Sequence, residues 1–312
     1  MSDNPADSVG EAFSKRIQAF SPRQSRSHPK TDRKRTSCAV GLKPKAESGC
    51  CTRRSIFDPR ADAASRPSNN KRLSLEHLRV FIGWDERESI GGHAFLESLL
   101  RTTGRHSVSV TFLTAALAEE LGLASDGTNA FTRARFAIPA LCDFLGYAIY
   151  LDGADMLCRE DLAKLWKLRN GWQAIQVVPH EYETRFPRKY IGTDLEADNA
   201  SYPRKNQSSV MLWACEHYMN RKLTPEFIAQ QPSSYLHRFE WLPEDRIGRL
   251  PMEWNHLVGE QVFNPQAKIA HYTLGIPAFK AYSDADYSEE WKQAMRDAMR
   301  GMQYPMTLHS AR

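Results

Sequence analysis

Tyr147-Ala148-Ile149-Tyr150-Leu151-Asp152-Gly153-Ala154-Asp155-Met156-Leu157 is an apolar run of strand formers that stops at two closely spaced carboxylates. It reads as a buried strand delivering acids to its carboxyl end. In open α/β sheets the ligand crevice lies outside the carboxyl ends of the strands, so Asp152 and Asp155 would face whatever binds there. Two carboxylates on a short turn suit a hard cation, and such a cation could hold a diphosphate. Asp is also a favoured N-cap, so the alternative is that both acids merely cap a following helix.

Upstream, Leu78-Arg79-Val80-Phe81-Ile82-Gly83-Trp84 predicts a first strand that meets the acid-rich turn Asp85-Glu86-Arg87-Glu88. A helix over about Ser89–Arg101 and a strand over Val108–Leu113 complete a βαβ beginning. A short helix is expected over 114–121 and a longer one from Phe131 to Phe144, carrying Arg133 and Arg135. Two positions apart on a helix, those arginines point differently, so one of them can reach a given ligand. Downstream, the pattern predicts an amphipathic helix over Arg159–Trp166 and strands over Ala174–Val178, from Val210, and over Ala267–Tyr272. Helices are expected near Thr224–Gln230 and over about Glu289–Gly301. Residues 180–205 mix aromatic and basic side chains in a connection long enough to be a lid or a binding loop.

Composition limits what else the chain could be. Of 312 residues, 41% are hydrophobic, enough for a sizeable core. Residues 1–76 hold 16 Lys and Arg against 8 Asp and Glu, which leaves 26 against 29 for the rest, so the net charge of +5 belongs to the amino-terminal part. A near-neutral globular part gives no reason to expect a nucleic-acid groove. Residues 1–76 are expected to be a disordered basic tail, residues 77–304 one folded domain, and 305–312 a flexible end. A tail that binds polyanions is a further reading of its arginines. The 6 cysteines form no metal-type pair and imply no disulfide framework. No apolar stretch is long enough to span a membrane and no signal peptide is evident, so a cytoplasmic protein is expected.

Five stretches in order carry a resemblance. Val80-Phe81-Ile82-Gly83-Trp84-Asp85, Arg133-Ala134-Arg135-Phe136, Tyr150-Leu151-Asp152-Gly153-Ala154-Asp155, Leu250-Pro251-Met252-Glu253-Trp254-Asn255 and His271-Tyr272-Thr273-Leu274-Gly275-Ile276-Pro277 resemble family 8 of the glycosyltransferases, the glycogenin and lipopolysaccharide galactosyltransferase group. The resemblance spans about residues 78–291. It implies an α/β fold of GT-A type, a Rossmann-like, mostly parallel mixed sheet flanked by helices. It implies transfer of a sugar from a nucleotide donor, a UDP-sugar, to an unidentified acceptor with retention of configuration; the alternative is a catalytically impaired module that binds nucleotide sugars or glycans.

The resemblance further implies that Asp152, Asp155 and His271 hold Mn²⁺ (or Mg²⁺) against the diphosphate. It places Gly83 and Asp85 at the base and ribose, Arg135 against the donor, Gln207 near the reacting carbon, and Gly275 and Lys280 over the diphosphate. Trp254-Asn255 would help shape the acceptor pocket. The family has one residue between its acids where this chain has Gly153 and Ala154, a spacing that leaves two readings: a bulge at Gly153, or a single one of the two acids binding the metal directly.

Overall fold

The computed structural model describes residues 76–104, 106–123 and 131–303. The expected basic tail, apart from Glu76, and the expected flexible end lie outside the described residues.

β1 (His77–Gly83) passes through a 3-10 turn, Glu86–Glu88, into α1 (Ser89–Thr103), and β2 (Ser107–Leu113) returns parallel to β1. Next come α2 (Ala115–Glu120), capped by the Thr114 hydroxyl, α3 (Ile138–Leu141), β3 (Tyr147–Leu151) and β4 (Met156–Cys158). α4 (Leu162–Trp166) and β5 (Ile175–Val177) lead to the small hairpin of β6 (Arg188–Lys189) and β7 (Ala197–Asp198). β8 (Val210–Ala214), α5 (Pro225–Gln230), α6 (Ser233–His237), β9 (Ile247–Arg249), β10 (His256–Leu257), β11 (Ile269–His271) and α7 (Ser288–Gln303) complete the order.

The main sheet has six strands in the order β2-β1-β3-β8-β5-β9. β8 runs antiparallel to both neighbours, and the other pairings are parallel. Both faces are apolar: Val80, Ile82, Ile149, Leu151 and Leu212 pack on one side, and Phe81, Tyr150, Met211 and Trp213 on the other. A sheet covered on both faces reads in sequence as unbroken apolar runs, which is why these strands were legible. The expected mixed, mostly parallel α/β sheet is therefore present.

Two expectations need correction. No helix runs from Phe131 to Phe144; a 3-10 turn, Ala134–Ala137, gives way to the single-turn α3, and Asp143 and Phe144 take positive φ of 52° and 54°. Pro139 lacks the N–H that would continue the ladder, so it can begin a helical turn but cannot lie inside one. Nor do Asp152 and Asp155 cap a helix. The turn they form leads into β4, in a second sheet of order β10-β11-β4.

Registers then fix the site. Ile82 pairs with Leu151 in parallel and Leu151 with Val210 antiparallel, so the ends of β1 and β3 and the start of β8 share one edge. The Asp152 amide donates to the Ser209 carbonyl at 3.0 Å. In the second sheet, His271 pairs with Met156 and the Tyr272 amide donates to the Asp155 carbonyl at 2.7 Å. α1 closes over the turn at Gly91, where a Cβ would lie 1.8 Å from the Ala154 carbonyl oxygen. Gly91→Ala should therefore push helix and turn apart, at a cost of about 1–3 kcal/mol. Denaturant titration checks this, and an unchanged midpoint would contradict the close approach.

Candidate functional site

Asp152, Asp155 and His271 each offer a ligand atom, and these atoms all lie within 4.8 Å of one another. Gly153, with φ +74°, allows the tight turn, and its missing Cβ makes room for Ile82. Asp152 accepts from the Tyr150 hydroxyl at 2.7 Å and pairs with the Arg135 guanidinium at 2.7 Å. Arg135 is itself buried over the rings of Tyr150 and Phe131 and donates to the Thr132 and Ser208 carbonyls. Gly83 leaves the space that Phe131 and the Tyr150 hydroxyl occupy. The neighbouring Arg133 turns away and donates to the Gln231 carbonyl.

Asp155 is arranged differently. Its Oδ2 lies 3.2 Å from His271 Nε2, and its buried Oδ1 has no hydrogen-bond partner. Asn255, fully buried, donates through Nδ2 to the Asn206 carbonyl, which leaves its Oδ1 to accept from His271 Nδ1–H at 2.8 Å. This fixes the ring and points Nε2 at the acids, the usual way a ligating imidazole is held. Burial alone would lift the Asp155 carboxyl, but the His271 imidazole more than offsets it and holds it below the ordinary range. The same pairing overcomes the effect of burial on His271 and raises it.

These groups open on a cavity of about 560 Å³. Its wall includes Arg135, Asp152, Asp155, His271, Ser208 and Ser209, and opposite them residues of the 180–205 stretch, among them Lys189, Tyr190 and Lys205. That long connection thus contributes a large part of the wall. Glu88 also lines it, and burial, with Asp155 and Asp85 nearby, pushes its carboxyl up to about 7. A raised acid favours the folded state below its ordinary pKa and disfavours it as pH rises through the folded value. Stability of the metal-free protein should accordingly fall by about 2–3 kcal/mol between roughly pH 4.5 and 7, and Glu88→Gln should flatten that fall. Unfolding measured across that range in chelator, with an equal slope in both proteins, would refute it.

Other expected site residues lie elsewhere. Asp85 caps the 3-10 turn and pairs at 2.7 Å with Arg87, which lines the cavity, but is not itself on the wall. Gln207 is buried, but its side chain lines a second, smaller cavity and donates to the His180 carbonyl. Gly275 packs against the Tyr282 ring, and Lys280 is exposed at the start of the 3-10 turn Lys280–Tyr282; neither lines the main cavity. Trp254 is core, whereas Asn255 orients His271. Glu88, Lys189, Lys205 and the positioning role of Asn255 were not singled out in sequence. For the two lysines the signals were the length of their loop and its mix of aromatic and basic side chains.

The fold and site together define an α/β protein with an Asp-Asp-His cluster at the carboxyl edge of its parallel strands. No family model matches the chain. The chain belongs to the family of Protein CDI of Arabidopsis thaliana, with which it is 33% identical over 249 residues, covering 76% of this chain and 93% of that protein. Solved structures similar to it include the WbbM bifunctional glycosyltransferase (16% identity, TM-score 0.49, 72% of this chain). The chain spans about half of that protein, 51%. Others are the galactosyltransferase LgtC in complex with donor and acceptor sugar analogues (14%, TM-score 0.47, 70% of this chain and 96% of that one) and mouse xyloside xylosyltransferase 1 (12%, TM-score 0.44, 64% and 100%). At these scores the likenesses carry no weight for activity, and what the site can do follows from its own groups.

Proposed function

We propose that the protein is a metal-dependent glycosyltransferase of GT-A type that moves a sugar from a UDP-sugar to an acceptor with retention. The observation that carries this reading is the buried, unpartnered Asp155 Oδ1 beside Asp152 and an imidazole already oriented by Asn255. Two carboxylates and one imidazole suit Mn²⁺ better than Mg²⁺, and nothing else described at the site satisfies that oxygen. Bound there, a divalent cation supplies a Lewis acid for the leaving diphosphate.

The chain's own groups do the rest. Asp152, Asp155 and His271 hold the ion. Arg135, locked by Asp152 and by two carbonyls, presents a fixed positive charge to the diphosphate, and Lys189 and Lys205 on the facing wall add to it. Gly83 and Asp85, at and just after the end of β1, lie behind this wall and are assigned no contact with the donor. Gln207, Gly275 and Lys280 lie off this wall and are assigned no step. The transferase domain spans residues 77–304. A reducing compartment, the cytoplasm, fits the free Cys142, Cys158 and Cys215. Among the described residues no helix is long and apolar enough to cross a membrane.

A donor screen tests the reading directly. Release of UDP, GDP or CMP is measured for UDP-, GDP- and CMP-sugars with Mn²⁺ or with chelator. Release from a UDP-sugar that chelator stops is the expected result; none from any donor, or release indifferent to chelator, would overturn it.

A further inference from the structure

β2 is one edge of the six-stranded sheet, and among the described residues no strand pairs with its far side. The register shows which of its backbone groups are used. The Ser107 amide donates to the Glu76 carbonyl at 3.2 Å, and the Trp84 amide donates to the Leu113 carbonyl at 3.1 Å, with His77 opposite Ser107 and Gly83 opposite Leu113. In a parallel ladder every second residue bonds to the neighbouring strand, so Ser107, Ser109, Thr111 and Leu113 face β1. The N–H and C=O groups of Val108, Val110 and Phe112 therefore point outward from the edge.

The side chains of the same three residues pack on the core beneath α1, yet all three are half-buried. Leu96 of α1 packs there too, and Leu100, one turn further along the same helix face, is 48% exposed. Edges of this kind are normally protected, and the opposite edge of the sheet shows how: β9 is three residues long and ends in Arg249, whose side chain is 73% exposed. β2 has no such device. It runs for seven residues in unbroken register with β1, without a charge or a proline.

What fits this edge follows from its own pattern. A second copy laid antiparallel, with Val110 on a twofold axis, sets Val110 opposite Val110 and Val108 opposite Phe112. Those are the residues whose backbone groups point outward, so each pair is of the hydrogen-bonded kind and exchanges both of its bonds. The half-buried apolar side chains meet their mates on one face of the joined sheet, and Ser109 meets Thr111 on the other. Charge complementarity also favours a copy: a strand with no charged side chain sets no like charges against itself, and it offers a charged peptide nothing to pair with. We propose that the protein forms a twofold dimer through β2, joining two six-stranded sheets into one. Because the copies run antiparallel, their Asp-Asp-His clusters fall at opposite edges of the joined sheet. None of this depends on the transferase reading.

Sedimentation equilibrium of the full-length chain tests the dimer. The mass should rise with concentration from 35.6 kDa towards twice that value. In hydrogen exchange followed by NMR, the Val108, Val110 and Phe112 amides should slow as concentration rises, while the Ser109 and Thr111 amides, bonded to β1, stay protected throughout. Ser109→Lys with Thr111→Lys sets like charges opposite each other in this register and should weaken association about tenfold or more. Ser109→Lys with Thr111→Glu sets opposite charges there and should restore it. Both positions are exposed, thermal melting checks that the variants fold, and the exchange measurement decides without any variant. A monomer at every concentration would overturn the proposal, whether its outward amides exchange freely or are covered by residues 1–75 of the same chain. So would a dimer whose outward amides stay unprotected, or one that the two double variants affect alike.

Discussion

Asp155→Asn is expected to reduce metal-dependent turnover of the donor by about three orders of magnitude or more. A coordinated cation contributes several kcal/mol to a transition state that gathers charge on a departing diphosphate, and each 1.36 kcal/mol is a factor of ten in rate. Asp155 is the group whose loss should matter most, because its partnerless Oδ1 has no structural duty that a neutral amide would disrupt. The substitution keeps the shape of the turn and leaves the Tyr272 amide on the residue's carbonyl. Rates of diphosphate release and the paramagnetic resonance of bound Mn²⁺ should fail together. Turnover near the wild-type rate would remove the metal reading; lost turnover with unchanged Mn²⁺ affinity would move Asp155 from the ion to some other task.

Arg135→Ala should act on folding first. Arg135 is 6% exposed and pairs with Asp152, and its removal leaves a mostly buried carboxylate uncompensated, with the Ser208 and Thr132 carbonyls short of a donor. Breaking such a pair from one side costs about 3–5 kcal/mol. Urea unfolding at neutral pH should register a loss of that order, and Arg135→Lys should recover part of it by restoring the charge without the planar fork. A loss under about 1 kcal/mol in the alanine variant would mean that solvent in the cavity screens Asp152 and that the pair adds little to stability.

How much of this was legible in the sequence follows from where each residue sits. Asp152, Asp155 and His271 end apolar runs, and the end of a buried strand is a place that periodicity can find. Arg135 stood out as one of two arginines of which one could serve, although the long helix assumed to carry it does not form. The choice between the two rests on the turn that Pro139 imposes and on the contact with Gln231 that takes Arg133 away. Glu88, Lys189, Lys205 and Asn255 were out of reach because chain reversals bring them to the site and no repeating pattern marks a reversal. Gln207 shows the limit most sharply: its backbone belongs to the turn beside the acids, yet its side chain faces the other cavity, and which way a turn residue points depends on dihedral angles that pattern reading does not supply.

The turn from Asp152 to Asp155 joins the last residue of β3, in the large sheet, to the first of β4, in the small one, and His271 belongs to the small sheet as well. An ion shared by these three side chains would therefore staple two independently hydrogen-bonded layers across a hinge only four residues long. Cargo at the site and cohesion of the layers then become reciprocal quantities: whatever loosens one sheet from the other weakens the grip on the ion, and the ion resists their parting. Unfolding free energy should accordingly climb with the logarithm of free Mn²⁺, by about 2.7 kcal/mol at a hundred times the dissociation constant, and the melting temperature should rise with it. A cell that starves this protein of metal would weaken its framework along with its chemistry.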